Sequence, residues 1–299
     1  MSTIVRRDFL KMMGMAGVVT VGAGVVPFSL GAQRTAAQGN ARLGKIVITE
    51  TPVARIHTYV APEESVQVTT HIIETANSLV LVDAQFALPF AQEVREYAES
   101  LGKPIDRIIL SHDHPDHWSG SPAFDMPLVT TANIAANLQQ RIDEGSAQAP
   151  EGFIAPEGTL EAGTLVIDGL TYDISIYLDA EAAEQLVIRI PEAKTIILQD
   201  LLYNAGYFFP GQNRVNWIQV LDELRKAMVT ENITTVLVGH GVPTTRGTLD
   251  VGIEYLTLLE ELFTTAASAE EVVQGIQARY PSYEGAFILT FYALFFQGA

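Results

Sequence analysis

The sequence predicts an α/β fold, a sandwich of two β-sheets packed face to face with helices outside. Three observations carry that expectation. Short runs rich in Val, Ile and Thr recur in both halves of the chain. Between them lie segments whose apolar residues are spaced at three and four. Each half passes from several strands to a helix and on to a further strand. No linker separates the halves, so residues 38–299 are expected to form a single domain.

Strands are expected at Lys45–Thr49, Arg55–Val60, Gln67–Ile73 and Ser78–Asp83, the last after a turn at Asn77-Ser78. Phe90–Leu101 reads as a helix. Pro89 sits near its start, Val94, Tyr97, Ala98 and Leu101 share a face, and Gly102 ends it. Asp106–Leu110 and Pro127–Thr130 read as strands and Ala132–Asp143 as a helix. Gly145–Gly158 is turn-rich and reads as a surface loop bordering a cleft. Further strands are expected at Thr164–Asp168, Thr171–Leu178, Gln185–Ile190 and Lys194–Leu198, separated by Gly169, acidic residues and Pro191. Val215–Val229 is an amphipathic helix, Thr235–Val238 a buried strand, and Leu249–Phe263 and Ala269–Arg279 are helices.

Residues 1–37 read as an address rather than as fold. Arg6-Arg7 lead into Asp8-Phe9-Leu10-Lys11, Met12–Gln33 carries no charge, and Thr35-Ala36-Ala37 offers small residues for cleavage. The layout resembles the bacterial twin-arginine export signal, although Val5 stands where a small hydroxyl residue is usual. It implies the twin-arginine export machinery as a partner and a periplasmic or otherwise exported location. A retained anchor is the other reading of the uncharged run. Gly14, Gly17, Gly22, Gly24 and Pro27 dilute that run, so no stable membrane span is expected after cleavage.

Composition excludes several classes. The absence of cysteine rules out a disulfide framework, a thiolate zinc site and a thiol nucleophile. With 18 basic and 35 acidic side chains the net charge is −17, which argues against nucleic acid as a partner. A small-molecule substrate is expected instead. Three of only six histidines stand within six positions, in Ser111-His112-Asp113-His114-Pro115-Asp116-His117-Trp118, just after a predicted strand. Imidazole and carboxylate are ligands that zinc and similar divalent ions accept. In extended backbone His112 and His114 point to one side, and Pro115 then turns the chain so that Asp116 and His117 can face a second ion. His57 and His71 stand apart and read as structural.

The pattern His112-x-His114-x-Asp116-His117 at a strand end resembles the signature of the metallo-β-lactamase fold superfamily, over about residues 45–260. The resemblance implies a four-layer αββα sandwich holding two divalent metal ions, Zn first, with Mn or Fe as alternatives. It implies His112, His114 and a third-step ligand on one ion, Asp116, His117 and His240 on the other, and Asp200 between them. Asp200 closes Ile197-Leu198-Gln199-Asp200, read as the end of a buried strand. His240 lies between Gly239 and Gly241, where the backbone can approach closely. The family usually has a histidine at the third step, but this chain has none between His117 and His240. Glu181 stands there, with Asp179 and Glu184 as competitors. A glutamate at that step resembles the alkyl-sulfatase branch. A carboxylate in place of imidazole weakens the ions as Lewis acids and favours harder ones. Asp116 is read both as ligand and as catalytic proton carrier, and Asp83 as a residue that holds a ligand imidazole by hydrogen bond.

The resemblance implies an enzyme, a metallo-hydrolase that activates water to cleave a small ester-type substrate, with a sulfuric ester favoured by Glu181. The stretch after His240 is too short for the C-terminal domains of alkyl sulfatases. A lactone, thioester or β-lactam hydrolase is the alternative within the class. An iron-dependent oxidoreductase and a non-catalytic binding protein are the alternatives outside it. Trp118 and the aromatic run Tyr203–Pro210 read either as a wall for an apolar substrate group or as core, and Arg214 and Arg246 as solvated surface residues ahead of partners for an anionic group.

Overall fold

A computed structural model of the chain describes residues 43–296 apart from Ser146 and Gln212. The predicted export signal, residues 1–37, lies outside the described residues.

The first sheet has seven strands in sequence order: β1 (Lys45–Glu50), β2 (Arg55–Val60), β3 (Thr69–Glu74), β4 (Leu79–Val82), β5 (Ile105–Ile109), β6 (Val129–Thr131) and β7 (Glu157–Leu160). Pairing is antiparallel from β1 to β4 and parallel from β4 to β7. The second sheet contains β8 (Gly163–Ile167), β9 (Leu170–Leu178), β10 (Glu184–Ile190), β11 (Thr195–Tyr203) and β12 (Thr235–His240), in the spatial order β12-β11-β10-β9-β8. Only β11 and β12 are parallel there. The parallel pairs need crossover connections. α1 (Leu88–Ser100) joins β4 to β5, α3 (Ala132–Asp143) joins β6 to β7, and α4 (Arg214–Thr230) joins β11 to β12. α2 (Pro115–Trp118) is a single turn inside the histidine loop. α5 (Gly247–Thr265), α6 (Ala269–Arg279), a 3-10 turn at Ala286–Phe291 and α7 (Tyr292–Phe295) follow β12.

Alternation along the second sheet fixes the layers, because successive side chains face opposite sides. Leu186, Ile188 and Ile190 of β10, Ile197 of β11 and Leu237 of β12 pack into one core with Ile56, Ile72, Leu81 and Ile108 of the first sheet. Val187, Ile196, Leu198, Val236 and Val238 point the other way, onto Trp217 and Leu221 of α4 and Tyr255 and Leu259 of α5. Ala91, Val94 and Ala98 of α1 and Ile134 and Leu138 of α3 cover the outer face of the first sheet. The order is helices, sheet, sheet, helices, the predicted αββα sandwich. Among the described residues no helix is long and apolar enough to cross a membrane.

Two expectations are corrected. The Gly145–Gly158 loop ends by entering β7, which its Gly and Glu content conceals and which pairs parallel to β6. The strand that carries Asp200 does not stop there. β11 runs on to Tyr203 through a bulge at Gln199, whose φ is +43° and where the register against β12 slips. The bulge re-aims the following side chain, a common use of this device beside functional sites.

Asp168, in the turn between β8 and β9, clasps the two sheets together. Its carboxylate accepts hydrogen bonds from Thr75 Oγ1 at 2.6 Å, Asn77 N at 2.6 Å and Asn77 Nδ2 at 2.7 Å, all in the β3–β4 turn. Those bonds, Thr75 first and then Asn77, hold its pKa to about 2, below the ordinary 3.8. The unfolded chain binds this proton more readily, so the clasp contributes its full stability above about pH 4 and loses it as pH falls through about 2. Asp168→Ala is expected to lower the Tm at neutral pH, and thermal melts at falling pH should show the gap to wild type closing between about pH 4 and about pH 2.

Candidate metal centre

The parallel strands aim their C-terminal ends at one place. Ser111 to His117 follow β5, Asp83 follows β4, and His240 closes β12. Asp200 comes from the bulged part of β11, and Glu181 from the tight turn between β9 and β10. The histidine loop is sewn to the opposite sheet, because Ser111 O accepts a hydrogen bond from Leu186 N of β10 at 2.9 Å. Gly239 makes room for the carboxylate: a Cβ there would stand 1.8 Å from Asp200 Oδ1.

The structure brings all seven predicted ligands together, in two groups that share Asp200. His112, His114, Glu181 and Asp200 place one ligand atom each within 4.8 Å of one another, and so do Asp116, His117, Asp200 and His240. In the first group His114 Nδ1 lies 3.3 Å from Glu181 Oε1, and His112 Nε2 lies 3.8 Å from Glu181 Oε2 and 3.7 Å from Asp200 Oδ2. In the second His117 Nε2 is 3.1 Å from Asp200 Oδ1, and His240 Nε2 is 3.3 Å from Asp200 Oδ2 and 3.4 Å from Asp116 Oδ2. Asp116 is the most exposed of the seven, at 9%.

The rings are oriented from behind. His117 Nδ1 donates to Asp83 Oδ2 at 2.7 Å, and His240 Nδ1 donates to Val66 O at 2.7 Å. His112 Nδ1 donates to Ser111 Oγ at 2.8 Å, and that hydroxyl donates to Asp83 Oδ2 at 2.8 Å. Each bond fixes the tautomer that turns an Nε2 lone pair toward the cluster, the arrangement metal-ligating histidines adopt. Among the described residues, His112 Nε2, His117 Nε2, both oxygens of Glu181 and Asp200 Oδ1 are buried with no hydrogen-bond partner. Buried polar atoms without partners are costly. Five of them converging on one space fit divalent cations well.

The electrostatics show the same demand for positive charge. Burial disfavours charging His117 and His240, yet Asp200 and Asp116 outweigh it, lifting His117 well above its ordinary value and His240 to about 9. Burial, followed by the Asp200 charge, pushes Glu181 well above the usual carboxylate range. Burial also opposes charge on Asp200 and Asp116. The facing imidazoles still hold Asp200 well below its ordinary value and Asp116 to about 2.

The competitors for the third step are engaged elsewhere. Glu184 accepts hydrogen bonds from Thr131 Oγ1 and, at 3.0 Å, from Asn133 Nδ2 at the start of α3. Asp179 is exposed and accepts from Asn213 Nδ2 at 3.0 Å. His71 Nε2 donates to Val238 O at 3.1 Å, Thr58 Oγ1 bonds its other ring nitrogen, and burial lowers its pKa to about 4. His57 lies between Tyr97 and Glu74. His57 is thus satisfied by α1 and β3, and His71 by β2 and β12.

A family model described as the metallo-beta-lactamase superfamily matches residues 65–240. The chain belongs to the metallo-beta-lactamase superfamily. An alkyl/aryl-sulfatase of Saccharomyces cerevisiae, BDS1, is 25% identical over 225 residues, 58% of this chain and 34% of that protein. The chain thus spans about a third of that relative's length. A metallo-beta-lactamase from Pontibacter korlensis superposes with a TM-score of 0.57 at 17% identity, covering 71% of this chain and 99% of that one. The DIM-1 metallo-beta-lactamase gives 0.55 at 12% identity, covering 73% and 99%. These likenesses show the metallo-beta-lactamase fold.

The candidate substrate contacts of this superfamily member divide between the cavity, the core and the surface. Trp118 is buried against Phe153 and donates to Asp113 O. Arg214 pairs with Glu260 at 2.6 Å and lies over Phe263, and Arg246 is exposed outside the cavity lining. Of the predicted aromatic wall, Tyr203 and Phe209 line the cavity, while Phe208 packs into the helical core. Phe86, the Glu64–Val66 loop and Phe287, Ile288 and Phe291 line it too, and sequence reasoning missed them. The aromatic run Phe287–Phe296 was the available signal for the last three.

Metal analysis checks the third step. Glu181→Ala is expected to lose at least about half of the bound metal, whereas Asp179→Ala keeps the wild-type content. Asp83→Asn is expected to weaken metal affinity about 10–100-fold, the usual effect of losing a group that orients a ligand.

Proposed function

We propose that this chain is an exported metal-dependent hydrolase that uses water to cleave a small ester-type substrate. The single observation that supports it best is the set of oriented imidazoles, each turned by a hydrogen bond on one ring nitrogen so that the other faces a shared carboxylate. His112, His114, Glu181 and Asp200 would hold one divalent ion and Asp116, His117, His240 and Asp200 a second, Zn first, with Mn or Fe as alternatives. When bound, such ions supply Lewis acidity and bring the pKa of water toward neutrality.

The chain's own groups supply the rest. Asp116 faces the cavity with a carboxylate that burial does not neutralise, so it can orient water and take up a proton. Tyr203 lines the same cavity, and its hydroxyl donates to Asp200 Oδ2 at 2.9 Å. Burial and then the Asp200 charge raise its pKa well above 10, so it remains a donor throughout the working range. Its single proton is held on Asp200, so Tyr203 orients the shared carboxylate. The sulfatase relative supports ester cleavage as the reaction class.

Chelation should abolish ester hydrolysis, and divalent ions should restore it. Asp116→Asn is expected to lower kcat by at least about tenfold together with the content of the second ion, and Tyr203→Phe to weaken metal affinity by about tenfold. No metal-dependent turnover across sulfate, phosphate, lactone and carboxylic esters would reject the reading. Export is tested by the pair Arg6→Lys and Arg7→Lys. It is expected to stop periplasmic accumulation, and N-terminal sequencing of the exported wild type should begin close to residue 38.

A further inference from the structure

We infer that the cavity takes a neutral carboxylic ester with an apolar acyl group, seated along the rings of Phe209, Phe291 and Phe287. This rests on the hydrolase reading above and names its substrate class. The rings form a ladder from the cluster to the surface. Phe209 meets His114 edge to face at 5.5 Å, Phe291 meets Phe209 at 5.9 Å, and Phe287 meets Phe291 at 5.2 Å. Phe291 is buried, whereas Phe287 is 53% exposed at the outer end. Phe86, Val66 and Ile288 complete the apolar lining. A large aromatic left half in solvent beside a reaction site is surface that a substrate chain can cover.

Charge sets the other half of the specificity. Divalent ions would offset Asp116 and Asp200, but Glu64 adds an exposed carboxylate to the lining. Among the described lining residues there is no Lys or Arg. A sulfate monoester is anionic before it reacts and must bring that charge past Glu64. A carboxylic ester is neutral on entry and develops negative charge only as water adds. In that reaction the water oxygen bonds to the acyl carbon and the bond to the alcohol oxygen breaks. The alcohol leaves with one proton, and the acid ionises to carboxylate with release of the other. The product is then an anion that Glu64 repels, which favours its departure.

The test is a chain-length series of p-nitrophenyl esters, acetate to octanoate, beside p-nitrophenyl sulfate, on metal-loaded protein with a chelated blank. In wild type kcat/KM is expected to rise about two- to fourfold per methylene, mostly through KM, because an apolar tail binds ground and transition states alike. The sulfate should be at least about 100-fold poorer than octanoate. Phe291→Ala and the exposed-site variant Phe287→Ala should flatten the rise, and Glu64→Gln should raise the sulfate-to-ester ratio. Calorimetry with methyl ketones of increasing length on metal-free protein should show the same trend, weakened in Phe287→Ala. A flat series, or sulfate turned over as well as the esters, would overturn the inference and leave the hydrolase reading standing. No turnover of any substrate would overturn both.

Discussion

Asp83 is the group on which the site's geometry depends. It sits just beyond β4 at φ +65°, fully buried. It accepts from Ser111 N, Ser111 Oγ, His117 Nδ1 and Gln199 Nε2. Three of those donors belong to the histidine loop and the fourth to the bulge of the opposite sheet. One carboxylate therefore fixes two ligand rings and registers the two sheets at the point where both contribute to the cluster. A buried carboxylate is tolerable only when so bonded, and bonding it this way dictates where His112 and His117 can look.

The cluster itself poses an energetic problem that packing does not solve. Glu181, Asp116 and Asp200 lie close together with little access to water, and both Glu181 oxygens and Asp200 Oδ1 lack hydrogen-bond partners. Like charges in low dielectric repel strongly unless cations lie between them. Divalent ions would resolve this, while the sheets and the Asp83 network hold the ligand frame in place. The aromatic ladder and Glu64 lie outside that frame, on a loop and the C-terminal turn, where substrate preference can differ without disturbing the ligands.

Much of this was legible in the sequence, for a reason that also explains what was not. His112, His114, Asp116 and His117 fall within six positions, so local chemistry announced them. Glu181, Asp200 and His240 were found because each borders a run of β-type residues that could be aligned with a known pattern. Whether Asp179, Glu181 or Glu184 turns inward depends on the shape of one tight turn and on partners such as Asn133 and Asn213, far away in sequence. The bulge at Gln199 was hidden because apolar residues continue on both sides of it. Phe86, Val66 and the residues after Gly285 reach the cavity only through tertiary packing, and no local period marks them. Trp118 read equally as core or as substrate wall, because nearness in sequence to the histidines does not fix which way an indole points; it lies in the core.

The most direct test is crystallography of the metal-loaded protein with anomalous scattering at the metal edge. Two peaks are expected, each about 2.0–2.2 Å from its nitrogen and oxygen ligands. One lies among His112, His114 and Glu181, the other among Asp116, His117 and His240, with Asp200 touching both. A single peak, or Glu181 turned away from the metal, would contradict this arrangement.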